Sequence, residues 1–437
     1  MHKIPDYAFI GEEMLAWAKE LFPLCRSLTG PGTIETLEYL SRLHPEIRCE
    51  DFATGEKVFD WEVPEEWAIY DAYIEHESGS RFAEFTRNNL HVVGYSTPID
   101  THMALEDLQH HLYSDPCQPE FIPYVTSYYK KRWGFCLSEN DRRNLPEGIY
   151  RVVVDSAFKD GKLTLASANL PGGRADTIFF STYICHPSMA NNELSGPVLS
   201  AGLMKYVKET YPQPRFTYRF NFVPETIGSI AYLSRHMDEL KRHVVSGFNL
   251  SCVGDDRGYS HVESRLGNTL ADTALSAALF GLDNVTTYPF LMRGSDERQY
   301  CAPGIDMPVC GFCRSKYGEY PEYHTSADDF TVVTAQGLQG AFNVVRSIID
   351  AFEVGLYPKA QVLGEPQLAK RGLYPNISLK GSADAMRTRM DTLAYADGQH
   401  SIFDIVHRIK KPLKAVVEEV SLLLERGLLV GSDTRTG

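Results

Sequence analysis

No run of apolar residues in this 437-residue chain approaches the roughly twenty needed to cross a bilayer as a helix. The opening residues, Met1-His2-Lys3-Ile4-Pro5-Asp6, also lack the basic-then-apolar pattern of a secretory signal. A soluble, cytoplasmic protein with no membrane partner is expected. Basic charge is scarce too: 43 Lys and Arg stand against 57 Asp and Glu, a formal net charge of −14. That balance repels phosphate backbones, so no nucleic acid partner is expected. The nine cysteines are dispersed among apolar surroundings rather than spaced as a disulfide framework, and the lone C-x-x-C, Cys310 and Cys313, has no second pair. Those two read as buried thiols. There is no H-E-x-x-H helix, so any zinc site must be assembled from separate loops.

What is present suffices for two or three domains: the length is ample and 43% of the residues are hydrophobic. Between residues 11 and 43, Met14, Leu15, Trp17, Ala18, Leu21 and Phe22 form an apolar face at helical spacing, and Arg26 to Gly32 is turn chemistry, which predicts a helical hairpin. From 51 to 159 short β-branched and aromatic runs, such as 89–95 and 149–154, are broken by turn residues, as in a small β-rich insert. Beyond Thr177 strands and helices alternate. Strands are predicted at 177–184, 216–223, 247–253, 285–290 and 307–312, with helices at 197–211, 229–237, 269–280 and 334–352. Such alternation predicts an α/β fold with helices on both faces of a sheet. From about Asn376, helices at 402–409 and 413–426 followed by Gly427-Leu428-Leu429-Val430 predict a winged helix-turn-helix. The expected domains are 1–50 plus 160–375, the insert 51–159, and 376–437.

Four loops at strand ends carry the candidate chemistry. They are His186 with Asn191, Asn192 and Glu193; Pro224-Glu225-Thr226; Gly254-Asp255-Asp256-Arg257; and Gly294-Ser295-Asp296-Glu297 with Tyr323-His324. Strand ends of a parallel sheet converge on one rim, so these groups can share a pocket. Two histidines and a carboxylate suffice for a catalytic zinc, and a further carboxylate can serve as general base. His186, His324, Glu225 and Asp255 fit those roles in kind. Asp328 and Asp329 read as helix caps. Trp61, Trp67, Trp133 and Tyr124, Tyr128 and Tyr129 read as core of the insert, with an aromatic substrate wall as the alternative.

Asn192-Glu193-Leu194-Ser195-Gly196, Pro224-Glu225-Thr226-Ile227-Gly228-Ser229, Gly294-Ser295-Asp296-Glu297 and Tyr323-His324-Thr325-Ser326-Ala327-Asp328 resemble, in order and interval, the motifs of the M28 zinc aminopeptidases. The whole chain more closely resembles a bacterial aminopeptidase-like family (domains of unknown function 4910 and 2172), whose members are often described as polysaccharide-biosynthesis proteins. Arg132-Trp133-Gly134-Phe135-Cys136 and Arg314-Ser315-Lys316-Tyr317-Gly318 carry that likeness. The resemblance implies an M28-like (phosphorylase/hydrolase-like) mixed sheet with an inserted domain and a C-terminal winged helix. It makes His186 and His324 metal ligands and Glu225 the general base. Where the M28 pattern has a bridging aspartate this chain has Asn192; where a ligand glutamate follows the base it has Thr226; a further ligand aspartate falls at about Ser251. One zinc ion is therefore expected rather than two, completed by Asp255, Glu193, Asp296 or Glu225 itself. Asn192, Asp296 and Tyr323 are expected to face substrate.

The implied activity is zinc-dependent amide hydrolysis of a small amino-acylated molecule or short peptide. A single-metal acyl or amidine transferase or cyclase is the competing expectation, and a non-catalytic scaffold the third. The C-terminal domain is expected to serve self-association or a protein partner.

Overall fold

The computed structural model describes residues 7–373 and 382–435. Its main element is an eight-stranded mixed sheet whose strands we number along the chain: β1 (Arg48–Ala53), β2 (Lys162–Leu170), β3 (Thr177–Tyr183), β4 (Thr217–Val223), β5 (Val244–Leu250), β6 (Tyr259–Val262), β7 (Val285–Tyr288) and β8 (Val309–Cys313). The spatial order is β1-β2-β4-β3-β5-β8-β6-β7. Strands β4, β3, β5 and β8 run parallel, with Phe180 of β3 opposite Phe220 and Phe248. Every residue of β3 is buried, as expected of a central parallel strand covered on both faces.

Alternation along β3 divides the core. Ile178 and Phe180 join one apolar cluster with the helices Ile10–Leu21, Ser195–Thr210 and Ala335–Glu353, whereas Phe179 joins another with Ile227–His243. Each such fully buried aromatic contributes about 1.5–3 kcal/mol through loss of water-exposed surface. Helices therefore lie on both faces. The segment 89–95, expected as extended, forms a short turn of 3-10 helix at Asn89–His91 instead.

The insert is a separate four-stranded antiparallel sheet centred on the pairing of Glu66–His76 with Ile149–Lys159. It starts later than 51, because Asp51, Phe52 and Ala53 are still paired with β2. The C-terminal unit in turn starts earlier than 376: Tyr357–Ala360 pairs antiparallel with Leu429–Ser432, closing the wing around the helices Ser382–Tyr395, Ile402–Ile409 and Leu413–Glu425. Asn376 itself lies outside the described residues. Among the described residues no helix is long and apolar enough to cross a membrane.

Candidate active site

Strand β3 delivers His186 to the sheet rim, and the chain then makes a single π-helical turn, Ala190–Leu194, before the helix Ser195–Thr210. Such turns are uncommon and concentrate at functional sites. Gly196 is required here: a Cβ would stand 2.1 Å from the Thr182 hydroxyl and 2.6 Å from the Leu250 carbonyl. Asp328, expected to cap a helix, braces this turn instead. It accepts hydrogen bonds from the backbone N–H groups of Asn191 and Asn192 and from the Tyr320 hydroxyl, while Thr334 caps the following helix.

His186 is held from both sides. Its Nδ1 lies 2.9 Å from Glu193 Oε2, and its Nε2 lies 3.6 Å from Glu225 Oε2. The buried Arg26 donates to the His186 carbonyl at 3.0 Å and stands 3.4 Å from Glu193 Oε1. Burial, and then the nearby Arg26 charge, lower the His186 pKa to about 3, so the ring is neutral at ordinary pH. His324 lies opposite, the two ring centroids 5.6 Å apart. Burial, with His186 beside it, lowers its pKa to about 3 as well. Its Nε2 is buried with no hydrogen-bond partner among the described residues. Tyr323 stacks on the His324 ring at 3.9 Å, so it fixes this histidine's orientation.

Glu225 sits on a strained turn. Thr226 has φ 67° and ψ −75°, and the N–H of Ile227 donates to the Glu225 carbonyl, a three-residue γ-turn that a β-branched side chain adopts only under constraint. The constraint is Asp296, whose Oδ1 accepts from the Thr226 N–H and the Ser229 hydroxyl, both at 2.8 Å. Burial, and then the charge of Asp296, raise the Glu225 pKa to about 8. The second oxygen of Asp296, Oδ2, is buried and partnerless.

Two of the expected metal ligands have other partners in the structure. Asp255 has four donors on its two oxygens: Asn191 Nδ2 and Ser315 N on one, Arg257 N and the Ser315 hydroxyl on the other. A carboxylate offers about four lone-pair positions, so Asp255 is spent as an anchor between loops. Glu193 faces Nδ1 of His186, on the opposite side of the ring from Nε2, and shares its carboxylate with the Arg26 cation. A cation there opposes a dication, while the ligand atoms of Cys185, His186 and Glu193 still lie within 4.8 Å of one another. Asn192 donates from Nδ2 to the Tyr183 hydroxyl at 2.8 Å and keeps a buried, partnerless Oδ1.

The insert reaches the site through Tyr124, one of the aromatics expected as core or, alternatively, as a substrate wall. The ring of Tyr124 packs edgewise on both His186 and His324, with centroids 5.2 and 5.1 Å away. Its N–H donates to the His324 carbonyl, and the Ser326 N–H donates to the Ile122 carbonyl, so the insert clamps the loop that carries His324. Arg298 was missed; its guanidinium donates to the Thr226 hydroxyl, at the position where the resemblance would put a second ligand carboxylate.

Two neutral imidazoles, one with an orphaned buried nitrogen, and an adjacent carboxylate fit one zinc ion, whose usual donors are of this kind. Asn192, Thr226 and the nearby Arg298 cation do not fit a second.

A mixed sheet bearing this pair of histidines at its rim, with a β insert and a C-terminal wing, has the fold of the M28 aminopeptidases. The chain belongs to the family described as "Domain of unknown function (DUF4910)", which it matches over residues 15–355, and residues 356–431 match a winged helix-turn-helix. A Clostridium acetobutylicum protein named "Putative polysaccharide biosynthesis protein with aminopeptidase-like domain" is 38% identical over 407 residues, 91% of each chain. The crystal structure of a "putative peptidase" from Clostridium acetobutylicum superposes with a TM-score of 0.87 at 34% identity, covering 96% of both chains. BSAP, a zinc aminopeptidase from Bacillus subtilis, shares the fold at a TM-score of 0.56 and 13% identity, over 79% of this chain and 95% of that one.

Proposed function

We propose that the protein hydrolyses an amide bond in a small amino-acylated molecule, with one zinc ion held by His186 and His324 and with Glu225 as general base. The observation that carries this is the buried, partnerless Nε2 of His324, in a ring 5.6 Å from that of His186. A buried nitrogen without a partner costs about 1–3 kcal/mol, which a bound metal would offset. When bound, zinc supplies Lewis-acid chemistry, polarising a carbonyl and acidifying water.

The chain's own residues do the rest. Glu193 takes the Nδ1–H of His186 and so fixes the tautomer that leaves Nε2 free. Glu225, basic enough near neutral pH because of its raised pKa, removes a proton from the attacking water. The water oxygen bonds to the carbonyl carbon, the C–N bond breaks, and the same carboxyl returns the proton to the departing amine. Tyr124 covers the two imidazoles and excludes competing water. The free Oδ2 of Asp296 suits the ammonium group of an aminoacyl substrate. The Clostridium relative's name ties that protein to polysaccharide biosynthesis, and we carry the same setting over to this chain.

Glu225→Gln tests the assignment. Turnover should fall by roughly 10²–10⁴-fold with zinc retained. Loss of zinc in that variant would make Glu225 a ligand, and unchanged turnover would make it structural. Adding an acceptor amine to the wild-type reaction separates hydrolysis from acyl transfer, since only transfer yields a new amide.

A further inference from the structure

Beside the metal site the insert holds a second concavity, a cleft of about 510 Å³. Volumes of this order are usual for small-molecule sites. Its back wall is aromatic: Tyr95 packs edgewise on Tyr128 at 5.3 Å and on Phe158 at 5.9 Å. Its rim carries two large aromatic rings left in water. Trp61 is 37% exposed and Tyr129 59% exposed, and they meet at 5.8 Å and 70°, forming an open corner. Asp60 and Glu62 line the same cleft, and neither has an ion-pair partner among the described residues.

A pair of tyrosines links the wall of the cleft to the site. Tyr128 lines it, and the Tyr128 hydroxyl lies 2.6 Å from that of Tyr124, whose ring covers His186 and His324. Tyr124 thus stands between the cleft wall and the two imidazoles, and a molecule that used both places would have to pass this tyrosine pair.

We propose that this cleft is a saccharide subsite, which holds the sugar of an aminoacyl sugar while its amide reaches the histidines. The inference deepens the amide-hydrolase reading and rests on it for the location of the reacting bond. A pyranose has an apolar C–H face, which suits the exposed ring faces of Trp61 and Tyr129, and hydroxyl edges, which donate to carboxylates such as Asp60 and Glu62. Other occupants fit less well. A nucleotide could stack, but its phosphates would meet three carboxylates, Asp60, Glu62 and Glu65, against the two ammonium groups of Lys130 and Lys131, the second already paired with Glu65. An apolar peptide side chain would use the rings and leave Asp60 and Glu62 without a function.

The test uses the full chain, with N-acetylglucosamine as the binding probe and glycine amide-linked to the amine of glucosamine as the substrate. N-acetylglucosamine should quench tryptophan fluorescence in a saturable way. Trp61→Ala and Tyr129→Ala should each weaken its binding by up to about tenfold, and Glu62→Gln by less. The same ring variants should raise KM for the glycyl sugar. Absent binding, binding indifferent to both aromatic variants, or tighter binding of AMP than of the sugar overturns the subsite. The two readings fail separately. If the sugar binds through Trp61 but no zinc-loaded preparation cleaves the amide, the subsite stands and the reaction assignment falls. If the amide is cleaved with the same KM in Trp61→Ala and Tyr129→Ala, the reaction stands and the subsite falls.

Discussion

Two clusters in this sheet each combine a cysteine, a histidine and a carboxylate. Cys185, His186 and Glu193 gather at the end of β3, and His261, Asp272 and Cys310 gather between β6, β8 and the helix Leu270–Leu279. The second is a closed structural device. His261 Nε2 lies 3.2 Å from Asp272 Oδ1, and Asp272 also takes the N–H and hydroxyl of both Ser264 and Thr269, completing the capping box of that helix. Among the described residues, none of its side-chain nitrogens or oxygens is buried without a partner. Around His186, by contrast, Arg26 Nη2, Asn192 Oδ1, Asp296 Oδ2 and His324 Nε2 are buried without hydrogen-bond partners, and Thr226 and His324 both have positive φ. Donor type does not distinguish a site from a brace. Unspent hydrogen-bonding capacity and backbone strain do.

The largest effect should come from removing a ligand on one side of this comparison and its counterpart on the other. His324→Ala should lower bound zinc from about one per chain to near none and abolish turnover, with the far-ultraviolet circular dichroism unchanged. His261→Ala should keep its zinc. Elemental analysis of the two proteins decides the matter: full zinc in the first, or none in the second, would reverse the roles of the clusters.

A smaller change sharpens the distinction between a ligand and the group that orients it. Glu193→Gln retains the shape of the side chain but weakens its hold on His186, and should reduce zinc affinity by about 10–100-fold. Competition with a chromophoric chelator reads this directly. If the melting temperature falls while the zinc Kd does not move, Glu193 is only a packing element.

The smallest effect belongs to the closed cluster. Asp272→Asn should lower unfolding free energy by about 1–3 kcal/mol and leave turnover of the folded protein alone. Although burial alone would raise the pKa of Asp272, hydrogen bonds from His261, Ser264 and Thr269 hold it below the ordinary carboxylate value. Its stabilisation is therefore fully present above about pH 4, the unfolded value, and fades as pH falls through the lower folded value. Urea midpoints of wild type and variant should converge toward acid pH. A gap that widens there would contradict the assigned ionisation.

The sheet was legible because its central strands are long apolar runs and its helices have clear apolar faces; the helix expected at 334–352 is Ala335–Glu353. The early strand of the wing was not. Tyr357-Pro358-Lys359-Ala360 has little strand character, and its partner lies some seventy residues later, at Leu429–Ser432. In the site, His186, Glu225 and His324 follow from motif order, whereas the engagement of Asp255 with four donors and of Glu193 with Arg26 and His186 Nδ1 does not. Counting donors on a carboxylate, or knowing which ring nitrogen it meets, requires coordinates. Arg26 comes from a distant segment and belongs to no motif, Arg298 directly follows Gly294-Ser295-Asp296-Glu297, and Tyr124 lies in Pro123-Tyr124-Val125-Thr126-Ser127-Tyr128-Tyr129, a phrase that carries the family likeness without indicating a site role. Arg26 did leave a trace, as a lone charge within Leu24-Cys25-Arg26-Ser27-Leu28.

The clamp between insert and rim has a kinetic consequence. Ile122 and Ser326, joined by hydrogen bonds, are 204 positions apart in the chain. Closing so long a loop is slow because its entropy must be lost before the contact rewards it, so the loop bearing His324 takes its final form late in folding. A chain still emerging or half collapsed then has His186 and Glu225 but not their partner. The capacity for zinc proposed for this site would then follow the closing of the clamp between insert and rim.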